Sequence, residues 1–167
     1  NGYGEVLNYG SGSVTVTGTN NLNAWNGGLQ LDGIISGDGL LSWYGGGNLT
    51  LGGANTFAGI LKMNGNNGTV TLSNTNALQN TLLNKGTNQT LAFGVPGTNT
   101  YKVGGLSGLG DLNMGGNRLA ITSAATNTFS GNLSGTNGLM VSGSGTQILD
   151  GAVSYTGVTQ VNGGVLR

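Results

Sequence analysis

Apolar side chains along this chain alternate with threonine, asparagine or serine in short bursts, as in SVTVTG at 13–18 and NLTLGG at 48–53. A period of two points every second side chain inward and leaves the polar ones facing out, the signature of a half-buried strand. The bursts last four to six residues and stop at glycine and asparagine, the residues that turn a chain at low steric cost. Helical spacing is nowhere sustained, and each interior glycine would cost a helix about 1 kcal/mol. The pattern predicts an all-β chain of many short strands.

The strands come in repeated company. AWNGGLQLDG at 24–33, TFAGILKMNG at 56–65 and YTGVTQVNGG at 155–164 each run aromatic, small or polar residue, glycine, then alternation. Aligned this way, Trp25, Phe57 and Tyr155 share one column, and TFSGNLSG at 128–135 adds Phe129. The turns that follow, Asp32-Gly33, Asn64-Gly65 and Asn162-Gly163, fall at one distance from the aromatic residue, where a tight turn could use left-handed conformers. A second block precedes the aromatic one: VLNYGSGSVTV at 6–16, LSWYGGGNLTL at 41–51 and LMVSGSGTQIL at 139–149 are each apolar, then G-x-G, then strand. Repeat spacing is uneven. The stretch 81–102 matches least and holds the sole proline, Pro96, so 72–102 is expected to be the most irregular segment, with a long or distorted turn.

Short repeated strands fit either a sandwich or a solenoid. In a solenoid, equivalent residues of successive coils stack about 4.8 Å apart, so repetition in sequence becomes a file of like side chains, which a sandwich does not require. The expectation is therefore a single domain over 1–167, a parallel β-helix of about seven coils and roughly 35 Å long.

Composition narrows the chemistry. Charged residues make up only 6% of the chain, against about a quarter in ordinary globular proteins. Five basic and five acidic residues leave no basic face to displace counterions from nucleic acid, and a net charge of zero removes long-range repulsion between copies. No apolar run is long enough for a membrane span. With no histidine and no cysteine, the usual general base, imidazole and thiolate metal sites and Ser-His pairs are absent. Of the carboxylates, Asp32, Asp38 and Asp111 sit beside glycine in turn contexts rather than as a glycosidase pair. GLGDLNMGG at 108–116 is a single unit, where calcium-binding coils need tandem aspartates. The expectation is no enzyme, cofactor or metal. Trp43 and Tyr44, adjacent on a strand, must face opposite ways, one in the core and one on the surface, where an exposed ring could stack on a sugar.

GIISGDGLLSWYGGGNLTLGGANTFAG at 33–59 closely resembles the autotransporter-associated β-strand repeat, also called the passenger-associated transport repeat, and 132–167 is similar to a second copy. Gln147 departs from it, standing where the pattern prefers an apolar residue, and Val153-Ser154 replaces Asn-Thr. The resemblance implies a right-handed parallel β-helix in a secreted or surface-exposed bacterial protein. Both termini fall inside repeat units, so Val6, Val14 and Val16 at one end and Val165 and Leu166 at the other are expected to stack on further copies. A structural subunit of an extracellular head-to-tail filament is the leading expectation. An adhesin or surface-glycan-binding segment of a longer passenger is the alternative.

Overall fold

The structure, a computed structural model, describes residues 5–167. Twenty strands wind into a β-solenoid of about 8 turns. The first coil holds β1 (Val6–Asn8), β2 (Val14–Val16) and β3 (Thr19–Leu22), and the second β4 (Gly28–Leu31), β5 (Ile35–Gly37) and β6 (Leu40–Trp43). The third has β7 (Asn48–Leu51) and β8 (Ile60–Met63), the fourth β9 (Thr69–Leu72) and β10 (Leu78–Lys85), the fifth β11 (Thr90–Phe93) and β12 (Thr100–Gly108). The sixth has β13 (Leu112–Asn113), β14 (Arg118–Ile121) and β15 (Thr126–Phe129), and the seventh β16 (Leu133–Ser134), β17 (Leu139–Val141) and β18 (Thr146–Leu149). The last has β19 (Thr159–Val161) and β20 (Val165–Leu166).

All pairings between these strands are parallel, each strand to its counterpart one coil away. Three faces result. Face one carries β1, β4, β7, β9 and β11 and continues through β13 and β16. Face two carries β2, β5, the first halves of β10 and β12, then β14, β17 and β19. Face three carries β3, β6, β8, the second halves of β10 and β12, then β15, β18 and β20. In the 72–102 segment the ladder is not broken. β10 and β12 run through two faces without a break in the strand, with a register shift between Leu78 and Leu82, and the turn after β11 holds Pro96 and Gly97, the latter at φ 88°. Asn99 Nδ2 ties that turn down by donating to the carbonyls of Val95, Pro96 and Gly97.

The core is a set of aliphatic files running along the axis. On face one Leu29, Leu49, Val70 and Leu91 stack in register, beside Leu31, Leu51, Leu72 and Phe93. On face three Leu41, Leu61, Leu83 and Leu106 form another. Most of these are at or near zero exposure, so each coil buries its apolar side chains mainly against the coils above and below. Where a corner brings backbones together, glycine is obligatory: a Cβ at Gly59 would lie 1.9 Å from the Gly39 carbonyl oxygen.

The repeat units are mounted out of phase. The three G-x-G stretches form three different corners, linking β1 to β2, β6 to β7 and β17 to β18. The strands after the aromatic residues likewise fall on face one (β4 and β16), face three (β8) and face two (β19). The aromatic column is therefore a property of the aligned sequence and not of the molecule. Trp25, Phe57, Phe129 and Tyr155 occupy different coils and do not share one wall, since Trp25 and Phe129 precede strands of face one, Phe57 one of face three and Tyr155 one of face two; Trp25 is 66% exposed, Phe57 and Phe129 are buried, and Tyr155 is half-buried. The physical reason is that the three corners are chemically alike, so one strand-turn-strand unit fits any of them.

Candidate functional site

The coil ends come first, because there the ladder has partners on one side only. Among the described residues β1, β2 and β3 pair only with the second coil, and β19 and β20 only with the seventh. At the first coil the lumen opens into a cavity of about 350 Å³ walled by Leu7, Tyr9, Val14, Leu22, Leu29 and Leu31. Val6 is exposed, Val14 half-buried and Val16 already covered. At the last coil Val158, Val161 and Val165 are exposed and Leu166 half-buried. The five residues expected at the ends thus lie at opposite ends of the stack, four of them at least partly uncovered.

The turn residues sit at three corners. Asp32-Gly33 follows β4, Asn64-Gly65 follows β8 and Asn162-Gly163 follows β19. None of these glycines has a left-handed φ, which corrects the expectation of αL turns. What excludes a side chain is the coil beneath: a Cβ at Gly33 would lie 2.0 Å from Gly12 O, and at Gly65 2.2 Å from Tyr44 O. Asp32 accepts a bond from Gln30 Nε2 at 2.7 Å, and Asp111 Oδ1 accepts the Asn132 N–H at 2.8 Å, so both carboxylates hold corners. Among the described residues no group of His, Cys, Asp and Glu is arranged to hold a metal ion. Trp43 is fully buried and Tyr44 is 41% exposed, the split that strand alternation requires.

Two side-chain amides patch the ladder. In the third coil face two lacks a regular strand, and Asn55 fills the gap: its Oδ1 accepts the Ile35 N–H at 2.8 Å and its Nδ2 donates to Ala77 O at 2.9 Å. On face three β12 and β15 are in register only at Gly108 and Phe129. Gln147, one coil beyond, reaches back to Leu106, donating from Nε2 to its carbonyl at 3.0 Å and accepting its N–H at 3.4 Å. Its departure from the apolar pattern therefore leaves the register of β15, β18 and β20 intact. Buried carboxamides can do this because each offers both a donor and an acceptor, as a peptide group does.

One charged residue is inside. Lys85 ends β10 pointing inward, only 2% exposed, and its Nζ donates to the carbonyls of Gly86, at 2.7 Å, and Gln89. Burial lowers its pKa from 10.5, opposed by the nearby Asp111 carboxylate. Gln89, also buried, donates from Nε2 to Gly45 O at 3.1 Å. Lys85 lies between two clefts at the corner from face three to face one, of about 420 and 340 Å³. The sequence did carry a signal for it: in LLNK at 82–85 the lysine is two residues after Leu83 and so shares its inward face.

Two stretches, 44–65 and 141–167, match the family model described as the passenger-associated-transport-repeat. The first runs from β7 on face one to β8 on face three, the second from the end of β17 on face two through β18 and β19 to β20 on face three. Comparison with curated proteins and with solved structures returned no match.

Proposed function

The chain carries the passenger-associated transport repeat at two places on a β-solenoid, and from that premise we propose that it is a rod-forming structural segment of an exported, autotransporter-passenger-like protein whose coil faces stack head to tail into a filament. The observation that carries this reading is that, among the described residues, the ladder at each end of the stack is paired on one side only, with apolar lumen residues exposed there. A coil laid on either one continues the same parallel hydrogen bonding, and a second copy of the chain supplies such a coil. The contact is heterologous and does not close, so it propagates into a fibre. Zero net charge leaves no long-range repulsion to oppose it. A neighbouring coil of a longer polypeptide would use the same faces, and either way the segment works as scaffold rather than catalyst.

Electron microscopy and fibre diffraction of the purified chain test the filament. Fibres of uniform width with a meridional repeat near 4.8 Å are expected, and Val161→Lys, which puts a charge at the exposed end, should prevent them. Single particles at millimolar concentration would refute the stacking.

A further inference from the structure

Along the side of the rod, one corner carries exposed aromatic rings in successive coils and two clefts beyond them. The turns that lead from face three to face one place Trp25 in the first coil and Tyr44 in the second, and both rings are exposed. These corners are stacked in direct contact: a Cβ at Gly46 would lie 3.0 Å from Trp25 O, and one at Gly65 2.2 Å from Tyr44 O. Directly above Tyr44 begins the 340 Å³ cleft, which runs from Asn64 past Asn88 to Leu109; it shares Lys85 and Asn88 with the 420 Å³ cleft that leads on to Asp111. Lys85 acts here as a positioning residue. By clamping the Gly86 and Gln89 carbonyls it fixes the 86–89 turn that presents Asn88 to solvent.

We infer that this corner is a binding edge for an extended, uncharged polysaccharide. The edge offers two exposed aromatic rings, then amide, hydroxyl and carboxylate groups, at one station per coil. Aromatic faces suit the C–H surfaces of a pyranose, the Asn88 carboxamide can donate to or accept from its hydroxyls, and the Asp111 carboxylate can accept from them. The rise of about 4.8 Å between coils is close to the length of one sugar unit in an extended chain. Asn64 Oδ1 is buried at the cleft and accepts no hydrogen bond among the described residues. A carboxamide turns readily about χ2, which would bring that acceptor to a sugar hydroxyl.

Other ligands fit less well. Nucleic acid needs a basic stripe, whereas the one lysine at this corner is buried and faces Asp111. A peptide strand needs an open backbone edge, and along the flank the ladder is paired coil to coil. The edge runs parallel to the axis, so end-to-end stacking leaves it free and lengthens it.

The test is native affinity electrophoresis in gels cast with soluble xylan, mixed-linkage glucan, galactomannan or dextran, and with polygalacturonate as the anionic comparison. Retardation in at least one neutral gel is expected. Trp25→Ala and Tyr44→Ala should each weaken it at least fivefold, and Asn88→Ala measurably, while Lys102→Ala, exposed on face two, leaves it unchanged. These side chains are exposed, so circular dichroism should show the variants folded. Unchanged mobility in every neutral gel, retardation by polygalacturonate alone, or binding that survives both aromatic substitutions would overturn the assignment. Because Val161→Lys leaves the corner intact, its binding separates this result from that of the filament.

Discussion

Replacing Gln147 with leucine installs the side chain that the repeat pattern prefers, yet the structure says the protein should suffer. Gln147 is 1% exposed, and its amide serves both polar groups of Leu106 where β15 stands away from β12. Leucine would leave a buried N–H and a buried carbonyl unpaired, at about 2 kcal/mol each. The added methyl groups return about 1.5 kcal/mol of apolar transfer energy. The net loss is about 2.5 kcal/mol, a large part of the roughly 5–15 kcal/mol that holds a domain folded. Urea denaturation followed by circular dichroism would read it as a midpoint lower by about 1 M, taking a slope of about 2 kcal/mol/M. Hydrogen exchange adds a local readout, since the Leu106 amide should lose protection. A leucine variant as stable as the parent, with Leu106 still protected, would show that the amide is tolerated rather than needed.

Lys85 predicts a dependence on pH. Burial holds its folded pKa below 10.5, so between that depressed value and 10.5 the unfolded chain binds more protons than the folded one, and unfolding free energy rises with pH. Denaturation midpoints measured as the pH is raised toward 10.5 should climb once the depressed folded value is passed, and Lys85→Met should flatten the climb; an identical slope in the variant would count against a buried ammonium. At Gly59 an added methyl meets Gly39 O at 1.9 Å and Phe57 Cζ at 2.6 Å, whereas at Gly97, with φ 88°, it meets open space. Gly59→Ala should therefore cost about 3 kcal/mol or more and Gly97→Ala about 1 kcal/mol. Thermal melts that rank them the other way would refute the close-approach account.

The all-β class, the parallel solenoid and the transport repeat were legible because alternation and turn chemistry are local signals, and the outward or inward sense of Trp43 and Tyr44 follows from period two alone. The coil count came out at about eight rather than seven because stacked partners such as Leu29 and Leu49, or Leu49 and Val70, lie only 20 or 21 residues apart, so these coils are shorter than a count of seven assumes. The aromatic column failed for a different reason. Sequence alignment fixes which residues are equivalent in a unit but not which face the unit occupies, and Phe57 and Tyr155 precede strands on different faces. Gln147 reads as a pattern break because its partner, Leu106, is 41 residues away, and nothing local announces that distance. Lys85 was readable as inward-facing, but its receptors, the Gly86 and Gln89 carbonyls, become a site only once the corner turns.

A unit that can be seated on any of three walls loosens the usual bond between duplication and geometry. Copying such a segment need not add a whole number of turns, since a third of a turn leaves every wall with a strand that fits it. Growth by uneven steps would then carry a given surface feature around the shaft like the treads of a spiral stair, and a lineage could reposition its outward chemistry by inserting a few residues without redesigning the interior.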